Sequence, residues 1–400
     1  MSLSSTMSLS STTSLSSTTS PSSTTSPSRT TSPPGSPPGT SANSLPATMA
    51  AATMAAAAAR SAGIEAELRR TPRSFRVLTG DQPTGPLHIG HYFGTLQNRV
   101  RLQDLGADVL VLVADYQVIT DRDSSAGISA NVLGLVAGNL AAGLDAGRAT
   151  IFAHSQVAAL NQLMLPFLSL VSVAEVGRNP TVKEEFAASG GRVMSALMFT
   201  YPVHQAADIL ACRANLVPVG KDQLPHVELT RTIARRFNER YSPAGAFFTL
   251  PDALLGAVPL LLGLDGQKMS KSRGNTIPLS ATADETARLI RGARTDAQRR
   301  ITYDPAGRPE VSNLVLIAAL CQGRSPEGVA GEIGDGGAAR LKAVVTEAVN
   351  ERLRRLRARH RELAADRGYL RSVLRSGNDR AAALAGDTLH RVSDLMSMTY

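Results

Sequence analysis

From Phe75 onward the 400-residue chain reads as an α/β protein organised on a parallel sheet, with a helical C-terminal region and a disordered N-terminal tail. Three observations predict this. Short apolar runs alternate with longer amphipathic stretches up to about Thr282, the pattern of βαβ units. Beyond Thr282 no strand pattern remains, and apolar residues recur at helical spacing. Residues 1–62 show neither pattern.

The tail consists largely of Ser, Thr, Pro and Ala, and the first acidic residue of the chain is Glu65. So few bulky apolar side chains cannot offset the entropy of ordering. The segment lacks the apolar core of a secretory signal and the arginine density of a transit peptide. Phe75–Leu78, Asp108–Ala114, Thr150–Ala153 and Leu216–Val219 then read as buried strands, each bounded by Gly, Asp or other polar residues. Between them Leu87–Leu105, Ile128–Leu144, Val157–Val176 and Leu224–Arg240 read as amphipathic helices. In such a sheet ligands are expected at the carboxyl ends of the strands. In the C-terminal region Val349, Leu353, Leu356 and Leu363 mark one helix face, with Arg352, Arg355 and Arg359 on the rest. The expected division is a tail and lead-in over 1–72, an α/β domain over 73–282 and a helical domain over 283–400.

At 43% hydrophobic the chain can bury a sizeable core. Cys212 and Cys321 stand far apart with no C-x-x-C, which argues against a disulfide framework or a thiolate zinc site and fits the cytoplasm. The longest apolar stretches, such as Leu163–Val176, are interrupted by Pro166 and serines and fall short of the roughly 20 residues of a membrane span. Formal net charge is +9, with 13 Lys+Arg against 7 Asp+Glu from Arg340 to Tyr400. A basic surface attracts phosphate backbones, so nucleic acid is the first partner class to test, beside an ordinary solvated helix face. Tryptophan is absent from the sequence.

Two segments carry the chemistry. The first strand runs into Thr79-Gly-Asp-Gln82-Pro83-Thr84-Gly-Pro-Leu-His88-Ile-Gly90-His91. Gly and Pro permit a tight turn, the following helix N-terminus offers N–H groups to an anion, and Gly90 removes a side chain where a base or ribose would lie. His88 and His91, three apart, can hydrogen-bond phosphate oxygens as charge builds. They also have the spacing of a metal pair, but no third ligand is evident in sequence. The second segment is Asp265-Gly-Gln-Lys268-Met269-Ser270-Lys271-Ser272-Arg-Gly-Asn275, which holds two of only five lysines in the chain. Ammonium and hydroxyl groups on such a loop suit a leaving pyrophosphate.

Together these segments resemble the two signature motifs of class I aminoacyl-tRNA synthetases. Leu216–Arg231, Thr79–Gly94, Tyr201–Ile209 and Val311-Ser-Asn-Leu314 are further similar to the tryptophanyl-tRNA synthetase family. The resemblance covers about Phe75 to the C-terminus. It implies a Rossmann-like catalytic domain, ATP and L-tryptophan as substrates with Mg²⁺ on the phosphates and no protein-ligated metal, tRNA(Trp) bound by the C-terminal helices, and a homodimer. It implies that Gln82, Pro83, Thr84, Gly90 and His91 hold ATP, together with Gly220, Lys221 and Asp222. Lys268, Met269, Ser270, Lys271 and Ser272 would contact the phosphates, with His88, His91, Lys268 and Lys271 assisting catalysis. Asp208 would accept the indole N–H, with Tyr201, Gln205 and Gln223 around the amino acid. The spacing of Tyr201, Gln205 and Asp208 also suits the tyrosyl sister family, and a synthetase-like regulator without charging activity is the alternative from another class. Gln117 and Gln205 stand where many bacterial tryptophanyl enzymes carry His and Met. Glu185 replaces a frequent Lys in a loop that retains Arg178 and Lys183.

Overall fold

The computed structural model describes residues 58–119, 126–180, 182–183, 194–256, 258–270 and 273–400. Five strands, β1 (Arg76–Asp81), β2 (Asp108–Val113), β3 (Thr150–Ala153), β4 (Leu216–Val219) and β5 (Asp252–Leu255), form one sheet in the order β3-β2-β1-β4-β5. Every pairing is parallel, with Arg76 opposite Asp108 and Asp81 opposite Val113 across the β1–β2 ladder. The chain leaves β1 toward β2 on one side and returns to β4 on the other. The carboxyl ends of β1 and β4 therefore flank the topological switch point, where a sheet of this kind leaves a crevice.

The strands are apolar on both faces because both faces are covered. In β2, Val109, Val111 and Val113 face one core cluster while Leu110 and Leu112 face the other, the period of two that a strand imposes. The helices, in chain order, begin with α1 (residues 58–70), α2 (Ile89–His91), α3 (Gln97–Leu105) and α4 (Ile128–Ala142). Then follow α5 (Ala158–Leu168), α6 (Val173–Gly177), α7 (Ala196–Ala211) and α8 (Leu224–Tyr241). After β5 come α9 (Ala283–Arg291), α10 (Pro309–Gln322), α11 (Pro326–Ile333), α12 (Gly337–Ala365) and α13 (Arg367–Leu395). Val349, Leu353, Leu356 and Leu363 of α12 are buried, as their spacing predicts, while Arg352, Arg355 and Arg359 are exposed. No described helix is long and apolar enough to cross a membrane.

Three local expectations differ from the structure. The expected helix Val157–Val176 is two helices. Pro166 and Ser169 end the first, and Ser172 starts the second in a capping box with Glu175, whose carboxylate also binds Arg236. The strand β5 and helix α7 are not anticipated. The sequence reading also extends the tail through residue 62, whereas residues 58–62 belong to α1, which buries Ser61, Ile64 and Leu68.

Side chains close both edges of the sheet. At β3, Asn378 of α13 accepts the Ala153 N–H at 2.9 Å, and Gly377 approaches so closely that a Cβ there would collide with the Ile151 carbonyl. At β5, the Ser61 hydroxyl donates to Ala253 O at 3.2 Å and accepts the Leu255 N–H at 3.0 Å. The end of β1 is held from beneath by Arg99, 2% exposed, which donates to Asp81, Asn139 and Thr79.

Candidate active site

A cleft of about 480 Å³ opens at the switch point, lined by Gly80, Asp81, Gln82, Thr84, His88, His91, Asp222, Gln223, Met269 and Ser270. Three distant segments meet there: the turn after β1, the 3-10 turn Lys221–Gln223 after β4, and the loop that follows Leu264. Of the sequence-predicted residues, Pro83, Gly90, Gly220, Lys221 and Lys268 of the ATP set, and Tyr201, Gln205 and Asp208 of the tryptophan set, do not line the cleft wall itself. Gly90 abuts Met269, since a Cβ there would lie 3.1 Å from its sulfur. Lys268 is exposed and pairs across an isolated bridge with Leu262. Lys271, Ser272 and Glu185 lie outside the described residues.

His88 caps α2 from an extended conformation, and its N–H donates to His91 Nδ1 at 3.2 Å. The two rings lie 3.7 Å apart, so the three-residue spacing does bring the imidazoles together. The Lys268 loop is clamped at its base by Asn275, a role that sequence reasoning missed. Its Oδ1 accepts the Ser270 N–H at 2.8 Å, and its Nδ2 donates to Asp265 Oδ1 and Lys268 O at 2.8 and 3.1 Å. Asn313, within the Val311–Leu314 motif, brackets both backbone groups of Leu262 at 2.8 and 3.0 Å. Thus the helical region holds the start of the loop. Asn275→Ala is expected to lower cleft-dependent turnover about tenfold by loosening the loop, and to cost about 1–3 kcal/mol of stability as the buried partners of its amide are left unsatisfied. Steady-state kinetics beside a melting curve checks this.

Tyr201, Gln205 and Asp208 lie at helical spacing on α7. Asp208 is 1% exposed among buried Ala206, Ala207, Ile209 and Leu210, so the expected buried carboxylate is present. Around it lie two histidines that the sequence reading did not single out, His154 at the end of β3 and His204 on α7. A further link joins this cluster to the cleft. Gln82 donates to Gln117 Oε1 at 3.3 Å, and the neighbouring Tyr116 ring lies 5.7 Å from His154. The turn after β2 therefore stands between the two.

The Tyr201 hydroxyl lies 3.3 Å from His226 Nε2, and Asn179 lies 3.3 Å from His226 Nδ1. Burial pushes the His226 pKa down to about 4, opposed in part by Asp222. Below the ordinary histidine value the unfolded chain takes up a proton that the folded chain refuses. Stability is therefore complete above about pH 6.5 and is expected to fall by up to about 3 kcal/mol as pH drops to about 4. Urea unfolding across that range, with His226→Gln lacking this component, checks it.

The sequence matches the family described as tRNA synthetases class I (W and Y) over residues 70–354. It is 39% identical to a tryptophan–tRNA ligase of Gloeobacter violaceus over 329 residues, covering 81% of this chain and 96% of that protein. It is 40% identical to that of Treponema pallidum over 335 residues, covering 81% and 97%. A solved tryptophanyl-tRNA synthetase from Campylobacter jejuni, complexed with ADP and tryptophan, superposes with a TM-score of 0.69 at 30% identity. That match covers 80% of this chain and 99% of the other. The sheet order, the cleft at its switch point and these matches lead to one conclusion: the chain belongs to the class I tRNA synthetases of the tryptophan and tyrosine group.

Proposed function

We propose that this chain activates L-tryptophan with ATP to tryptophanyl-adenylate and transfers it to tRNA(Trp), releasing AMP and pyrophosphate. The observation that carries the reading is the convergence of the His88–His91 turn, Asp222–Gln223 and Met269–Ser270 on one cleft at the switch point. The tryptophan carboxylate is already an anion, so its in-line attack on the α-phosphate needs no general base. Positioning and charge stabilisation carry the step. His88 and His91 face the phosphates, Asp222 the ribose, and Lys268 and Lys271 follow the departing pyrophosphate.

Mg²⁺ enters on the ATP phosphates. The cleft carboxylates are Asp81, which is bonded to Arg99, and Asp222. The buried group of His154, His204 and Asp208 does not line the cleft. Asp208 accepts the indole N–H, with Tyr201, Gln205 and Gln223 around the amino acid. The domain of residues 73–282 performs adenylation and residues 283–400 contact tRNA through the exposed arginines of α12. The working form is a cytoplasmic homodimer.

Pyrophosphate exchange with each aromatic amino acid, followed by tRNA charging, tests the reading. Exchange with tryptophan and charging of tRNA(Trp) are expected. Exchange with tyrosine instead, or tryptophan binding without exchange, would overturn it.

A further inference from the structure

Asp208 sets a problem that the proposed function leaves open. Its carboxylate is buried in an apolar stretch of α7, and no described Lys or Arg forms an ion pair with it. A buried carboxylate needs polar partners to fix its orientation, and an indole N–H can be met only if that orientation is kept. The only ion-pair contact Asp208 makes among the described residues is His154 Nε2, 2.9 Å from Oδ1. His154 is itself wholly buried, placed where β3 ends and turns into the 3-10 segment His154–Gln156. The contact is close but off-line for a hydrogen bond, and neither Asp208 oxygen receives an aligned hydrogen bond from a described residue. Acceptor capacity therefore remains for a donor brought in by a ligand.

We infer that His154 is a positioning residue, which holds the Asp208 carboxylate in place to accept the indole N–H of tryptophan. This rests on the proposed tryptophan pocket and names the group that makes it workable. The surroundings sort the two imidazoles into different states. His204 stacks on His154 with ring centroids 4.0 Å apart. Its Nε2 lies 2.8 Å from Asn161 Oδ1, an oxygen that only accepts, so His204 donates there. Burial pulls the His204 pKa down, with Asp208 opposing and His154 adding to it. For His154 burial is the largest single influence and pulls its pKa down, but the Asp208 charge and contact, with Asp115, outweigh it and raise the value.

The ionisable groups around His154 are Asp208 and His204 on α7, and Asp115 and Tyr116 in the turn after β2. Asp115 is fixed by accepting from the Ser155 N–H and hydroxyl. On the packed helices, Asn161 of α5 meets His204 and Asn378 of α13 meets the Ala153 N–H. A raised histidine value means that the pair is complete below about pH 6.5 and is lost as pH rises through the folded value. Tryptophan kcat/KM is therefore expected to carry an alkaline fall that belongs to His154.

The test is tryptophan-dependent pyrophosphate exchange with the full chain. His154→Ala is expected to raise the tryptophan KM at least about 30-fold while the ATP KM stays within about twofold, since truncating one member of a buried charge pair strands the other. His154→Gln, which can donate to Asp208 but cannot titrate, should recover much of the loss. It should also lack the alkaline fall above about pH 6.5. Should the alanine variant misfold, the glutamine pH profile decides by itself: a profile that keeps the fall overturns the inference. So does an unchanged tryptophan KM in folded His154→Ala, or stoichiometric zinc in the purified protein that His154→Gln loses. Asp208→Asn separates the two levels. If it leaves the tryptophan KM unchanged, the pocket reading fails; if it raises the KM and His154→Ala does not, the role of His154 alone fails.

Discussion

Alanine in place of Lys268 is expected to slow tryptophan-dependent pyrophosphate exchange by about 10²-fold or more, chiefly in kcat, the loss typical of removing one transition-state donor. The argument is electrostatic. As pyrophosphate departs, negative charge accumulates on oxygens beyond the α-phosphate, and a group that meets it only then lowers the barrier without tightening ground-state binding. Lys268 is suited to this by what it lacks in the resting fold: it is exposed and does not line the cleft. Its backbone, in contrast, is fixed through the Leu262 bridge and the Asn275 contact to its carbonyl. A mobile ammonium on an anchored main chain can follow a leaving group. Single-turnover adenylate formation at saturating ATP and tryptophan separates the rate effect from binding. A Lys268→Ala enzyme within about threefold of the parent would remove Lys268 from the mechanism.

Arg99→Met is expected to cost about 3–5 kcal/mol of folding stability, measured by urea denaturation, because it removes a buried guanidinium that satisfies several acceptors at once. Arg99 is 2% exposed, and its guanidinium serves Asp81, Asn139, Thr79 and the Gly80 carbonyl at once. Methionine keeps much of the volume and none of the donors. The paired variant Arg99→Met/Asp81→Leu should lose less than the sum of the two single effects, since the two side chains share one ion pair. If the double variant is worse by the sum of the two single effects, Arg99 contributes packing rather than charge compensation. Since Asp81 lines the cleft, both variants are also expected to lose exchange activity.

Four of the five strands are legible in the sequence because their apolar runs are β-rich and bounded by polar residues. β5 is not, because Asp-Ala-Leu-Leu has no β-branched residue, and only its pairing with β4 makes it a strand. Helix α7 is apolar nearly all round and contains Pro202, which blurs its periodicity. The sheet order cannot be read from local pattern at all. In the site, the His88–His91 turn and the lysine loop announce themselves through rare residue types at tight spacing. His154 does not: a lone histidine closing a short strand reads as a polar boundary, and its partner Asp208 lies on a helix far along the chain. Asn275 was visible as part of the loop, yet nothing local shows that its amide clamps it. The C-terminal helices were expected to face tRNA, and Asn313 gives them a second connection, to the loop of the catalytic cleft.

The two side chains that plug the sheet edges have a consequence for trimming this protein. Ser61 and Asn378 lie in segments that sequence reasoning treats as dispensable tail and as separable helical domain. Removing residues 1–62 takes Ser61 away from β5, and stopping at residue 282 takes Asn378 and Gly377 away from β3. Each cut bares a row of backbone groups that another molecule's strand can extend. Shortened forms are therefore expected to assemble edge to edge and to grow heavier with concentration in light scattering, while the uncut chain does not.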